Sequence, residues 1–238
     1  PERYSYYRLM VERVVDGEAA FFKERQNQPR RAGDTVFAMG EAAYFTLQPD
    51  RLVRRDYVVI LLSQLIDLAA YWDPAIGETS GADWSSCVVI GKDQYGYLYV
   101  LDVYMSQGQS PDAQVSGIVE LLWRWQVRRF GYEANLFQGL LGTDLKEAMA
   151  QLVQEEGSQY APIYVPITNL RAKMLRISTL EPLITNHHLW FSDALHPEYV
   201  RQMTVFRPVD GADKDDAGDA TEGAVRVIKH LTEGRNGI

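Results

Sequence analysis

Residues 86–105 read SCVVIGKDQYGYLYVLDVYM and carry the clearest strand pattern in the chain. Two runs rich in Val, Ile, Tyr and Leu, Ser86–Gly91 and Tyr97–Met105, are separated by the short loop Lys92–Gly96. Two such runs joined by a short loop that contains Asp and Gly are typical of a β-hairpin. This segment therefore predicts two adjacent antiparallel strands.

The segments on either side of this hairpin predict alternating strands and helices. Upstream, the apolar run Tyr57–Tyr71 leads into Trp72-Asp73-Pro74, and we expect only its last part to be a strand. Downstream, periodicity predicts helices and strands in alternation: helices over 111–130, 135–156, 171–184, 197–206 and 217–231, and strands near 132, over 162–167 and over 189–191. A hairpin followed by such crossovers predicts an α/β fold, a ribonuclease-H-like mixed β-sheet flanked by helices.

The beginning of the chain differs in composition from the rest. A helix is expected over residues 3–16, a helical turn near Phe21–Pro29, and irregular structure from about Arg30 to Arg55. The net charge is +1 over residues 1–60 and −9 over residues 61–238. We therefore expect a boundary near Asp56, with residues 1–56 as a linker or remnant and 57–238 as the folded domain. The first residue is Pro rather than Met, which suggests a fragment of a longer polypeptide.

The overall composition excludes several classes of protein. The 238 residues are 46% hydrophobic and 24% charged, which is typical of a globular domain and not of a disordered chain. The single cysteine, Cys87, excludes an internal disulfide, and no apolar run is long enough to cross a bilayer. The net charge of −8 by itself argues against a nucleic-acid partner.

Acidic residues interrupt or follow the apolar segments at three places. Asp73 ends the first predicted strand, Glu133 ends a later one, and Asp216 and Asp219 share one face at the start of the last helix. Carboxylates brought together in this way repel one another unless a cation neutralises them. Oxygen ligands without a cysteine or histidine cluster select Mg²⁺ or Mn²⁺, and two such ions can catalyse phosphodiester hydrolysis. The same acidic start of the last helix also suits simple helix capping, a role that Asp215 fits best.

The order of short motifs resembles the nuclease domain of phage terminase large subunits. The matching segments are Asp73-Pro74-Ala75, Asp83-Trp84-Ser85, Gly91 to Asp102, Tyr132 to Gln138, Lys173-Met174-Leu175-Arg176-Ile177 and Asp215-Asp216-Ala217-Gly218-Asp219-Ala220. Phe21–Pro29 is similar to the stretch that leads out of the ATPase motor in that family. No Walker A pattern is present, because Gly91-Lys92 is followed by Asp93.

This resemblance implies a metal-dependent DNA endonuclease that cuts concatemeric viral DNA during packaging. Because the sequence contains no base-reading motif, we expect low sequence specificity. Carried over to this chain, Asp73, Glu133, Asp216 and Asp219 are the expected catalytic residues and ligands of two Mg²⁺ or Mn²⁺ ions. Where the family often has a histidine before its Asp-Asp pair, this chain has Lys214. The implied partners are double-stranded DNA, an ATPase domain outside this chain, the portal protein and the small terminase subunit. The implied location is the host cytoplasm, and no membrane partner is expected.

Other assignments stay open from sequence alone. Arg171, Lys173 and Arg176 are either phosphate contacts or a solvated helix face. Three further carboxylates, Asp83, Asp102 and Asp215, have no certain role in the expected metal site. Two other functions are compatible with the sequence: another ribonuclease-H-like nuclease of the Holliday-junction resolvase type, and a non-catalytic interaction module of the packaging motor.

Overall fold

The protein is an α/β domain built on one mixed sheet. A computed structural model describes residues 5–16, 35–75, 83–134, 140–169, 171–207 and 214–229. The strands are β1 (Ala43–Leu47), β2 (Arg51–Arg54), β3 (Val59–Leu61), β4 (Asp67–Asp73), β5 (Trp84–Lys92), β6 (Leu98–Gln107), β7 (Arg129–Glu133), β8 (Ile163–Ile167) and β9 (Leu189–Ser192). The helices are α1 (Tyr6–Asp16), α2 (Pro111–Trp125), α3 (Leu140–Glu155), α4 (Lys173–Ser178), α5 (Glu181–Thr185), α6 (Pro197–Val205) and α7 (Asp216–Lys229).

The nine strands form a sheet in the order β3-β2-β1-β9-β6-β5-β4-β7-β8. Strands β4, β5 and β6 are antiparallel neighbours, which confirms the predicted hairpin. After one helical crossover β7 pairs in parallel with β4, and after a second β8 pairs in parallel with β7. The predicted mixed β-sheet flanked by helices is confirmed.

Helices cover both faces of this sheet. Successive side chains on each strand point to opposite faces, so neighbouring residues pack against different helices. On one face, Tyr71 of β4 and Val88 of β5 pack against the helices α4 to α7. On the other face, Trp72 and Cys87 pack against α2 and α3. Both faces of the central strands are therefore buried, which explains why β4 and β5 read as continuous apolar runs.

The sheet starts earlier in the chain than the sequence predicted. Residues 43–54, expected to be irregular, form β1 and β2, and β1 pairs in parallel with β9. The predicted boundary near Asp56 therefore falls between β2 and β3, inside one sheet. The reason is non-local: β1 obtains its partner about 147 residues away, and nothing in the local pattern reveals that pairing.

Two predicted helices are shorter than expected. The helix expected to reach Phe130 ends at Trp125, because Gln126 adopts a left-handed conformation with φ 46°. The helix expected over 171–184 is two short helices, α4 and α5. The predicted turn near Phe21–Pro29 and the motif residues 135–138 lie outside the described residues.

None of the helices within the described ranges has the length and apolar character that a bilayer crossing requires.

Candidate active site

Two neighbouring parallel strands place Asp73 and Glu133 side by side. In the register of β4 and β7, Trp72 pairs with Tyr132, so the two acidic residues follow at the same level of the sheet. Both belong to the face covered by α7, because Tyr71 packs on that face and strand residues alternate. The local sequence explains this position, since each carboxylate directly follows the apolar residues of its strand.

Small residues bring α7 unusually close to this part of the sheet. A Cβ added at Gly223 would lie 2.4 Å from the ring of Tyr71, and one added at Gly131 of β7 would lie 2.3 Å from Val227. A Cβ at Gly218 would lie 2.8 Å from Ile177 of α4. This close packing holds the first turn of α7, which carries Asp216 and Asp219, beside the ends of β4 and β7.

A single ammonium group lies among three carboxylates of this region. Nζ of Lys173 is 2.9 Å from Asp215 Oδ1, 3.4 Å from Asp219 Oδ2 and 3.8 Å from Asp73 Oδ2. Its side chain remains 35% exposed, whereas that of Asp219 is 7% exposed. The expected ligands Asp73 and Asp219 are thus brought within reach of one cation.

A second, more deeply buried network fixes the orientation of Asp219. Nη1 of Arg176 donates to Asp219 Oδ1 at 2.6 Å and to Glu222 Oε2 at 2.9 Å, and its Nη2 donates to Asp219 Oδ2 at 3.3 Å. Arg226 Nη2 donates to the same oxygen of Glu222 at 2.9 Å and to Asn169. Glu222 was not predicted from the sequence, although its i+3 spacing from Asp219 on one helix could have revealed it.

Asp73, Glu133, Asp215, Asp216 and Asp219 form a carboxylate cluster, in which the pKa values of Asp73 and Asp216 are raised. Burial, together with the charges of Asp219, Asp216 and Glu133, raises the pKa of Asp73 to about 7 despite the opposing effect of Lys173. Burial and Asp215 raise the pKa of Asp216 to about 6. For Lys173, burial lowers the pKa, but Asp73, Asp219 and Asp215 outweigh it and the net pKa is raised. Burial and neighbouring carboxylates therefore both disfavour the ionised forms of Asp73 and Asp216.

Asp216 and Asp83 lie near this site, whereas Asp102 lies on the other face of the sheet. Asp216 Oδ2 accepts from the backbone N–H of Trp84 at 3.3 Å, and Asp83 forms an ion pair with Lys214. Asp102 lies on the opposite face of the sheet, where it accepts from Trp125 Nε1 at 2.9 Å and from Arg124. Its position separates Asp102 from the carboxylate cluster.

The predicted phosphate-contacting residues have different environments. Arg171 is exposed, Lys173 points at the carboxylates, and Arg176 is buried with a side chain only 7% exposed. Arg176 therefore cannot meet a phosphate without leaving Asp219 and Glu222. Charged residues on a short helix are usually solvated, so this inward orientation was not visible in the sequence.

The donor set suits a hard divalent cation, although the side chains are not arranged around one. Within the described residues, no three His, Cys, Asp or Glu side chains lie close enough together to hold a metal ion. The ammonium group of Lys173 lies between the oxygens of Asp73, Asp215 and Asp219. Carboxylate oxygens are nevertheless the type of ligand that Mg²⁺ and Mn²⁺ prefer.

Solved structures share this fold. The large terminase of a thermophilic bacteriophage, in complex with ADP, has a TM-score of 0.59 and 10% identity, covering 94% of this chain and 52% of that one. The large terminase of bacteriophage HK97 has a TM-score of 0.50 and 11% identity, with coverage of 93% and 50%. The chain thus spans about half the length of these two proteins.

Sequence comparison gives the family. No curated protein matches the chain. Residues 70–226 match the profile of the family described as the terminase RNaseH-like domain. This range runs from the middle of β4 to the last turns of α7, and so includes Asp73, Glu133, Asp216 and Asp219. The chain belongs to the terminase RNase H-like domain family.

Proposed function

We propose that this chain is a metal-dependent DNA endonuclease that cleaves concatemeric viral genome DNA, with low sequence specificity, during packaging into the capsid. The observation that carries the proposal is the convergence of acidic residues from separate elements at one end of the sheet. Asp73 comes from β4, Glu133 from β7, and Asp216 and Asp219 from α7. The neighbouring negative charges raise the pKa of Asp73, and a bound divalent cation would relieve that repulsion.

The four carboxylates would hold two Mg²⁺ or Mn²⁺ ions. Such ions, when bound, would supply the Lewis-acid chemistry that hydrolysis of a phosphodiester needs. The chain's own residues fix the ligands in place: Arg176 orients the carboxylate of Asp219, and the N–H of Trp84 orients that of Asp216. The tight contact of Gly223 with Tyr71 sets the distance between α7 and β4.

The DNA would be held mainly by its phosphates, and weakly. The net charge of −8 leaves little basic surface, and Arg171 is the exposed cation on the short segment next to the cluster. Binding should therefore weaken steeply with salt. We propose that an ATPase domain outside this chain, the portal protein and the small terminase subunit present the DNA, at the procapsid in the host cytoplasm.

Cleavage of a supercoiled plasmid tests the proposal. The chain should nick and linearise plasmid in Mn²⁺ or Mg²⁺ but not in EDTA. Asp73→Asn should reduce the rate by at least about a hundredfold, since it removes a ligand of the ions that stabilise the transition state. Asp102→Asn is the matched control, because its carboxylate bonds Trp125 on the opposite face. An Asp73→Asn protein that cleaves at the wild-type rate would contradict the metal assignment.

The alternative nuclease function is distinguished by substrate. A Holliday-junction resolvase would cut a four-way junction much faster than linear duplex, whereas the proposed packaging nuclease should cut both at comparable rates. Absence of metal-dependent cleavage of any DNA would favour the non-catalytic interaction module.

A further inference from the structure

We propose that Lys173 is a built-in counter-ion of the carboxylate cluster and that it competes with a divalent cation for the same oxygens. This inference rests on the proposed function, because it concerns the ligands assigned there. It goes further in assigning Lys173 a role in setting the metal affinity rather than in contacting DNA.

The position of the ammonium group supports this role. Nζ of Lys173 lies within 3.8 Å of oxygens of Asp73, Asp215 and Asp219, which come from β4, the residue before α7, and α7 itself. A cation coordinated by Asp73 and Asp219 would occupy the same space. Its positive charge would also repel the ammonium group at this distance. Metal binding therefore requires that the Lys173 side chain withdraw.

The surroundings allow such a withdrawal. The side chain of Lys173 is 35% exposed and lies at the start of α4, so its flexible stem can turn towards solvent. By contrast, Arg176 has a buried guanidinium with three hydrogen bonds to Asp219 and Glu222. Asp219 consequently retains one cationic partner whichever second cation is present. The cluster can exchange an internal monovalent charge for a divalent ion without being left unneutralised.

Calorimetric titration with Mn²⁺ and thermal unfolding test this competition without relying on activity. Lys173→Met keeps the length and apolar stem of the side chain but removes its charge. In EDTA, Lys173→Met should lower the melting temperature by roughly 3–8 °C, because the carboxylates lose a partner. It should also bind Mn²⁺ on the order of tenfold more tightly than the wild type, because no ammonium group has to be displaced.

Three further variants serve as controls. Lys173→Arg keeps the charge and should bind Mn²⁺ as the wild type does. Lys146→Met removes a lysine that stacks on Tyr164 on the far face, and should change neither quantity. Lys173→Gln can still donate to Asp215 and should repeat the tighter Mn²⁺ binding even if Lys173→Met fails to fold.

The outcomes separate the two proposals. Equal or weaker Mn²⁺ binding by both uncharged variants, with clear binding by the wild type, would overturn the competition while leaving the metal site intact. Absence of Mn²⁺ binding by the wild type and by all variants would overturn the proposed metal-dependent function itself.

Discussion

Replacing Arg176 with methionine should strongly destabilise the protein. The substitution keeps most of the side-chain volume but removes three hydrogen bonds to Asp219 and Glu222, all between groups no more than 10% exposed. Breaking a buried ion pair by removing one partner costs about 3–5 kcal/mol, since the other charge is left without its partner. Here Lys173 remains 3.4 Å from Asp219 and Arg226 remains 2.9 Å from Glu222, so we expect the lower end, about 3 kcal/mol.

Urea unfolding followed by tryptophan fluorescence measures this loss. The control is Arg201→Met, which removes an equally well-formed pair with Glu198, at 2.7 Å through both Nε and Nη2, on the surface of α6. Because the Arg201 side chain is 50% exposed, its loss should cost no more than about 1 kcal/mol. If the two substitutions reduce the free energy of unfolding equally, burial does not strengthen the Arg176 network and this prediction is wrong.

Two further predictions concern the packing and the pH dependence of the site. Gly223→Ala should lower the free energy of unfolding by about 1–3 kcal/mol, because the clash with the buried ring of Tyr71 outweighs the gain in helix propensity. Gly117→Ala in α2 should be closer to neutral, because its Cβ meets the ring of the half-buried Tyr104, which can shift. Equal losses of melting temperature for Gly223→Ala and Gly117→Ala would refute this distinction. In EDTA, stability should fall as the pH rises from about 4 to 7, because the raised pKa of Asp73, about 7, makes the folded state bind protons that the unfolded chain has released. Asp73→Asn should flatten that slope in melting temperatures measured across this range, and an unchanged slope would count against the raised pKa.

The parts of the site that depend on local order could be predicted from the sequence. Asp73 and Glu133 each follow an apolar strand, and parallel neighbours must bring such positions to the same edge. Likewise, the three-residue spacing of Asp216 and Asp219 was sufficient to place both on one helical turn. Cys87 is buried within the apolar strand β5.

The rest depends on contacts between distant segments. Lys173 and Arg176 turn inward only because α7 and the residue before it present Asp215, Asp219 and Glu222 to α4, and a six-residue helix shows no periodicity that would reveal its buried side. The strands before Asp67 also depend on a contact between distant segments. They join the sheet through β9, so their short and half-buried patterns carry too little information on their own.

A crystal of the protein soaked in Mn²⁺ and measured for anomalous scattering tests the central claim most directly. We predict anomalous density between Asp73, Glu133 and the first turn of α7, with Asp216 and Asp219 as ligands and the ammonium group of Lys173 displaced towards solvent. Density confined to other acidic residues such as Asp83 or Asp102, with Lys173 still bonded to Asp215 and Asp219, would contradict it.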